Sequence, residues 1–217
     1  MTRTRLATAF APGKLIISGE HAVVHGHPAL AIAIDRGCTI HLFERPGKSG
    51  IDRAPIHDQR LQRAVLPLLP SEGLGVEIES SLPIGRGMGS SAAMSIALVE
   101  ALALFQGQSL RFSQIHERGF ELERVFHGTP SGIDHAVSAL GGIIRYRSGP
   151  AGPVLKRLEA ELPPIVVLDS GASGNTAELV DKVCQMGTLG ATICEQIGTL
   201  TRSIIKDLAG ISNSEIG

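Results

Sequence analysis

The chain has 217 residues, enough for one large domain or two small ones with a substantial core. Apolar residues make up 43% of it and charged residues 19%, a soluble globular balance, and 20 basic against 21 acidic residues leave a net charge of −1 with no basic stripe, which excludes a non-specific nucleic-acid binder. No apolar run reaches signal-peptide or transmembrane length, and the odd, widely spaced Cys38, Cys184 and Cys194 read as reduced core residues, so a cytoplasmic protein without a membrane partner is expected.

The early part of the chain reads as strands at Ala7 to Phe10, Leu15 to Ser18, Ala29 to Ile34 and Cys38 to Glu44. In the last of these, Cys38, Ile40 and Leu42 alternate with Thr39, His41 and Phe43. A loop with Pro46, Gly47 and Gly50 follows, then a short helix over Arg60 to Leu69. Val76 and Ile78 alternate with Glu77 and Glu79, so Gly75 to Ser80 reads as a strand. Ser91 to Gln106 is a strong helix closed by Gly107, and its single charge, Glu100, predicts burial nearly all round. A second helix covers Ser113 to His127. It has Ile115, Leu122 and Phe126 on one face and Glu117, Glu121 and Arg124 on the wet side.

Gly141 to Arg147 and Ile165 to Asp169 read as further strands. Between them, the proline- and glycine-rich stretch from Ser148 to Pro164 reads as a domain boundary. Helices are expected over Thr176 to Met186 and Leu189 to Leu208, the latter with a stripe of Ile193, Ile197, Leu200, Ile204 and Leu208. These helices need a sheet to cover, and only one strand precedes them.

The segment from Pro83 to Ala92 (PIGRGMGSSA) joins a predicted strand to the strong helix. Gly85, Gly87 and Gly89 let backbone N–H groups converge on an anion, and the first helical turn adds unpaired N–H groups and the positive end of the dipole. Ser90 or Ser91 can cap the helix or reach a metal ion. A plain strand-to-helix turn with a serine cap is the competing reading. No Lys follows the last glycine, so this is not a Walker A loop. The GxGxG spacing is not the dinucleotide fingerprint. Alone, the loop says phosphate and no more.

A second constellation runs from Glu123 to Asp134 (ERVFHGTPSGID). Glu123 lies at the edge of the helix's apolar stripe, where its carboxylate can point inward, and Asp134 follows a Pro-Ser-Gly turn. Two carboxylates so placed suit a metal ligand and a base; a surface glutamate and a turn aspartate are the plainer alternative. The amino-terminal run from Ala11 to Gly26 (APGKLIISGEHAVVHG) sets Lys14, Glu20 and His21 beside predicted strand ends.

These three motifs, in this order, resemble the GHMP kinase superfamily, which includes galactokinase, homoserine kinase, mevalonate kinase and phosphomevalonate kinase. The runs GEHAVVHG and ERVFHGTPSGIDHAVSALGG are most similar to the mevalonate kinases within it. The resemblance covers residues 7 to 210 and is tightest at 11–37, 83–93 and 123–142. It implies an α+β fold of two domains: an ATP-binding domain over 1–150, of the ribosomal-protein-S5-domain-2-like type, and a carboxy-terminal domain over 151–217. It implies ATP-dependent phosphorylation of a small alcohol, most like (R)-mevalonate going to 5-phosphomevalonate in isoprenoid biosynthesis. Phosphomevalonate, another small alcohol, or a non-catalytic nucleotide-binding remnant are the alternatives.

By the same resemblance, Asp134 is the base and Lys14 the cation beside it. Pro83, Gly85, Arg86, Gly87, Met88, Gly89, Ser90, Ser91 and Ala92, with Lys14, hold ATP. Ser91 and Glu123 hold Mg²⁺, and Glu20, His21, Asp134 and Thr176 line the alcohol pocket. Superfamily members continue into a third glycine-rich motif, which is not found before Gly217, so the second domain is expected to be incomplete. The last helices are then expected to lack cover, leaving the chain poorly stable or paired as a homodimer through the exposed patch.

Overall fold

The computed structural model describes residues 3–56, 58–83, 85–127, 132–149, 152–169 and 176–214. Its strands are β1 (Arg5–Ser18), β2 (Pro28–Lys48), β3 (Gly50–Arg53), β4 (Glu72–Ser80), β5 (Ile143–Arg147) and β6 (Val154–Leu158). Its helices are α1 (Gln59–Val65), α2 (Ser90–Phe105), α3 (Phe112–His127), α4 (Ile133–Leu140), α5 (Thr176–Gln185) and α6 (Thr188–Ser214).

The four early strand predictions merge into two long strands. Pro12-Gly13 and Asp35-Arg36-Gly37 read as breaks, but the antiparallel β1–β2 ladder runs through them, with irregular register between Pro12 and Lys14. Gly37 makes the crossing sterically open: a Cβ there would lie 2.1 Å from the Ala11 carbonyl oxygen. The other edge of β2 is shared. Its second half pairs antiparallel with β4 and its first half with β5. β3 adds parallel to β4 and β6 antiparallel to β5, giving the order β3-β4-β2-β5-β6 with β1 on β2. β3, β6 and α4 have no counterpart in the sequence reading. β6 lies inside the stretch read as a boundary and pairs with β5, so the sheet runs on past residue 150.

One face of this sheet is covered by α2, which packs on β1, β2, α3 and α4. Eleven of its residues, from Ala92 to Ala103, are buried, as its near-continuous apolar sequence requires. Cys38, Ile40 and Leu42 of β2 and Val76 and Ile78 of β4 point into the same core.

The carboxy-terminal part departs from expectation in three ways. Residues 165–169 form no strand; Val166 is 84% and Leu168 90% exposed. No strand among the described residues pairs with them, and an extended apolar segment without a ladder has nothing to fix it as β. The last helix, by contrast, is covered. α6 docks beside β1 and β2, where Thr201 Oγ1 and Ser18 Oγ share a buried 2.7 Å hydrogen bond and Leu208 joins Leu30, Ile32 and Ile143. The buried stripe is also shifted from the predicted one: Leu200 is exposed, and Gly190, Cys194, Gly198 and Thr201 face inward. Small residues win because the approach is close; a Cβ on Gly198 would lie 2.4 Å from His27 Nδ1. Cys38 and Cys194 are buried free thiols as expected, but Cys184 is exposed. Among the described residues, no helix is long and apolar enough to cross a membrane.

Candidate active site

The glycine loop carries alternating left-handed glycines: φ is 72° at Gly85, 71° at Gly87 and 70° at Gly89. Such alternation curls successive amides into a concave anion cradle. Gly89 is itself the N-cap of α2, with no side-chain cap, so neither serine plays the capping part. A Cβ on Gly89 would lie 3.1 Å from Lys14 Cγ and 3.8 Å from Asp134 Cβ. The loop, the lysine and the aspartate therefore meet at one glycine.

Lys14 reaches this point because β1 bends there. Its backbone N–H donates to the Met88 carbonyl at 3.0 Å, so that carbonyl faces β1 rather than the cradle. The Lys14 side chain is nearly buried, and Nζ lies 3.3 Å from Asp134 Oδ1. Asp134 stands in the first turn of α4, which opens on Gly132 at φ 89°. The fully buried Tyr146 lies below; its hydroxyl would be 3.0 Å from a Cβ on Gly132.

Ser91 and Glu123 form the second pair. Ser91 Oγ donates to Glu123 Oε1 at 2.8 Å. The helices meet this closely because α3 presents Gly119 to α2: a Cβ there would lie 2.4 Å from Ile96 Cδ1. Glu123, one turn after Gly119, then falls opposite Ser91. Glu123 is only 3% exposed. Burial pushes its carboxyl up to about 7; the Ser91 hydrogen bond opposes this and the nearby Asp134 charge adds to it. A buried carboxyl in this state is poised to lose its proton to a cation. Among the described residues no group of three or more His, Cys, Asp or Glu could hold a metal. Two hard oxygens beside a phosphate cradle nevertheless fit Mg²⁺, which keeps few protein ligands and takes phosphate and water oxygens for the rest.

A cavity of about 290 Å³ connects these parts. Gly85, Gly87, Gly89, Ser90, Ser91 and Asp134 line one end. The other end is lined by Pro55, Ile56, Leu61, Ile78, Met94 and Phe126, with Asp58 and Arg60 beside them. This apolar end escaped the sequence reading. Its residues come from β4, α1, α2, α3 and the loop between β3 and α1, and only the Asp58 N-cap of α1, accepting from the Arg60 amide, leaves a local trace.

The sequence also gave no hint of a buried aromatic cluster under Asp134. His135 is fully buried, its ring centroid 5.0 Å from Phe120 and 5.2 Å from His116. Neither of its ring nitrogens has a partner among the described residues. Burial pulls His135 down to about 4, and His116 adds to that. His116 hydrogen-bonds to the Gly132 backbone.

The remaining expected residues are more scattered. Ala92 is buried in α2, so it offers the site no side chain. Pro83 precedes the loop, and its neighbour Ile84 lies outside the described residues. Arg86 points to the carboxy-terminal part, with Nε 3.3 Å from Asp169 Oδ2. Glu20 is exposed, and His21 holds a left-handed φ of 61° with Nδ1 buried. Neither forms a hydrogen bond or ion pair with Lys14 or Asp134 among the described residues. Thr176 opens α5, and its side chain lies outside the described residues.

Known proteins resemble this chain in sequence and in fold. Residues 59–142 match the GHMP kinases N terminal domain. The chain is 34% identical to a mevalonate kinase of Thermococcus sibiricus over 81% of its own length and 60% of that protein's. It is 33% identical to one from Pyrococcus abyssi over 90% of its length and 68% of the relative's. The structure of L. major mevalonate kinase in complex with R-mevalonate superposes with a TM-score of 0.74 at 24% identity, covering 95% of this chain and 70% of the other. The chain thus spans about 60% of the length of the first of these relatives.

Proposed function

We propose that this chain, which belongs to the mevalonate kinase family of the GHMP kinases, transfers the γ-phosphoryl group of ATP to the 5-hydroxyl of (R)-mevalonate in the cytoplasm. The observation that carries the reading is the contact of Lys14 Nζ with Asp134 Oδ1 at 3.3 Å, on the rim of a cradle of left-handed glycines. Residues 1–150, with β6 completing their sheet, act as the nucleotide-binding domain, and the chain beyond β6 belongs to the second domain.

Phosphoryl transfer asks the protein mainly for positioning and charge neutralisation. The amides of residues 85–90 bind the phosphates, and the apolar end of the cavity takes the base. Ser91 and Glu123 hold Mg²⁺, which when bound neutralises phosphate charge. Asp134 accepts the proton of the attacking hydroxyl. Lys14 sets its ammonium between that carboxylate and the cradle, where it stabilises the negative charge that builds on the phosphoryl oxygens. Glu20, His21 and Thr176 line the alcohol pocket.

An assay of ADP release by the full chain tests the substrate, with (R)-mevalonate, phosphomevalonate, homoserine and galactose offered in parallel. Turnover confined to mevalonate is expected. Turnover on another alcohol replaces the substrate, and ATP·Mg²⁺ binding with no turnover on any of them makes the chain a nucleotide-binding module.

A further inference from the structure

We propose that Arg86 is an exchangeable cation of the phosphate loop, held by Asp169 in the empty chain and passed to a phosphate oxygen when ATP binds. This rests on ATP being the ligand of the loop.

Arg86 stands between Gly85 and Gly87, both left-handed, so its Cα belongs to the wall of the cradle itself. Its Nε is turned to Asp169 Oδ2 at 3.3 Å, more than eighty residues away in sequence. The pair is half-open, with 27% of the arginine and 41% of the aspartate side chain exposed, so water screens it. Arg86 Nη1, meanwhile, is buried with no hydrogen-bond partner among the described residues. A guanidinium donor shut away from water calls for an acceptor, and this one starts from a phosphate cradle. A triphosphate brings several negative oxygens to the same loop. It can take two parallel N–H donors from one guanidinium. A single, partly hydrated carboxylate holding Arg86 through Nε competes poorly against that.

The exchange has a consequence at the other end. Asp169 ends the segment 161–169, which has no regular secondary structure and exposes Val166 and Leu168. The pair with Arg86 ties that segment to the loop. Once Arg86 turns to phosphate that contact is lost, so ATP binding loosens the Asp169 end of the segment while ordering the loop, and Leu162 stays packed on the core. Asp169 is a positioning residue in this scheme: it acts on ATP only through Arg86.

The test is calorimetric titration of ATP·Mg²⁺ into the full chain and into Asp169→Asn, Arg86→Met and the double variant, with hydrogen exchange of residues 161–169 followed in the wild type. Removing the competing carboxylate is expected to tighten ATP about three- to tenfold. Arg86→Met is expected to weaken it at least about tenfold, and Asp169→Asn to have no effect in the Arg86→Met background. Exchange at the Asp169 end of 161–169 should rise on ATP binding. A neutral or weakened Asp169→Asn, an equal gain in the Arg86→Met background, or a fall in exchange overturns the proposal. If Arg86→Met does not fold, Asp169→Asn and the exchange measurement decide alone. Failure of the wild type to bind ATP·Mg²⁺ removes the kinase reading as well; binding that Asp169→Asn leaves unchanged removes only the exchange.

Discussion

Helix α2 and the segment 165–168 are both runs of apolar residues, and the fold treats them in opposite ways. α2 is enclosed by β1, β2, α3 and α4, with Ile96 and Leu98 fully buried. In 165–168, Val166 and Leu168 lie open to solvent. Composition is therefore not what makes the core. α2 has elements on every side that approach closely because Gly119 and Gly89 lack a Cβ. The later segment has no partner strand among the described residues. The candidate active site follows the same divide. Lys14, Ser91, Glu123 and Asp134 all stand on elements that pack against α2 or belong to it, and the loop residue Arg86 reaches across through a half-open ion pair.

This contrast is sharpest at Lys14. Lys14→Met leaves β1 and its ladder in place and removes only the ammonium beside Asp134. A fall in kcat of about 10²–10³ is expected, as for loss of a positioned electrostatic donor. Steady-state kinetics with unchanged ATP affinity checks it, and a change confined to KM would assign the lysine to binding alone.

Stability should divide the two regions next. Ile96→Ala opens a cavity where α2 meets Gly119 and is expected to cost about 2–5 kcal/mol. Leu168→Ala removes a side chain already in water and should stay within about 0.5 kcal/mol. Urea unfolding of both variants measures the difference; comparable losses would mean that 165–168 is packed in solution.

The buried titratable groups give a pH signature of two signs. His135 is held neutral in the fold at about 4, while an unfolded histidine binds its proton near 6.5. Its contribution is therefore present above about 6.5 and lost as pH falls toward 4. Glu123 runs the other way. Its folded value of about 7 lies above the ordinary 4.5, so its contribution is full below 4.5 and lost as pH rises through 7. Metal-free chain should thus respond oppositely to two variants. His135→Phe should flatten the acid side of the stability profile by up to about 3 kcal/mol. Glu123→Gln should gain stability over wild type between pH 5 and pH 8, by about 1–3 kcal/mol. Thermal melts across that range check both; slopes of the same sign would contradict the burial of one of the two.

The part of this legible in the sequence was the part with local signals. The periodicity of Cys38 to Leu42 and of Val76 and Ile78 marks real strands, and the near-continuous apolar run of α2, broken by Glu100, marks a helix buried nearly all round. Long-range pairing overrode local breakers at Pro12-Gly13 and Gly37, which is why two strands read as four. α4 is short and follows a turn, so Asp134 read as a loop residue although it stands in a helical first turn. The shifted stripe on α6 depends on Gly198 meeting His27, a contact between residues far apart in sequence. For the same reason the apolar end of the cavity and the His116–His135 cluster had no sequence signal: each gathers residues from separate elements. The chemistry-bearing motifs were visible because each is continuous, and the fold then brought Lys14 to Asp134 and Ser91 to Glu123.

The most direct test of that convergence is single-turnover phosphoryl transfer from ATP·Mg²⁺ to (R)-mevalonate by the wild type and Asp134→Asn, with ATP binding measured on the same samples. Nucleotide affinity within about twofold of wild type and a transfer rate lower by about 10²–10⁴ are predicted, the range for loss of a positioned general base. An Asp134→Asn variant that transfers at the wild-type rate would contradict the account, because no other carboxylate among the described residues lies against Lys14 at the cradle.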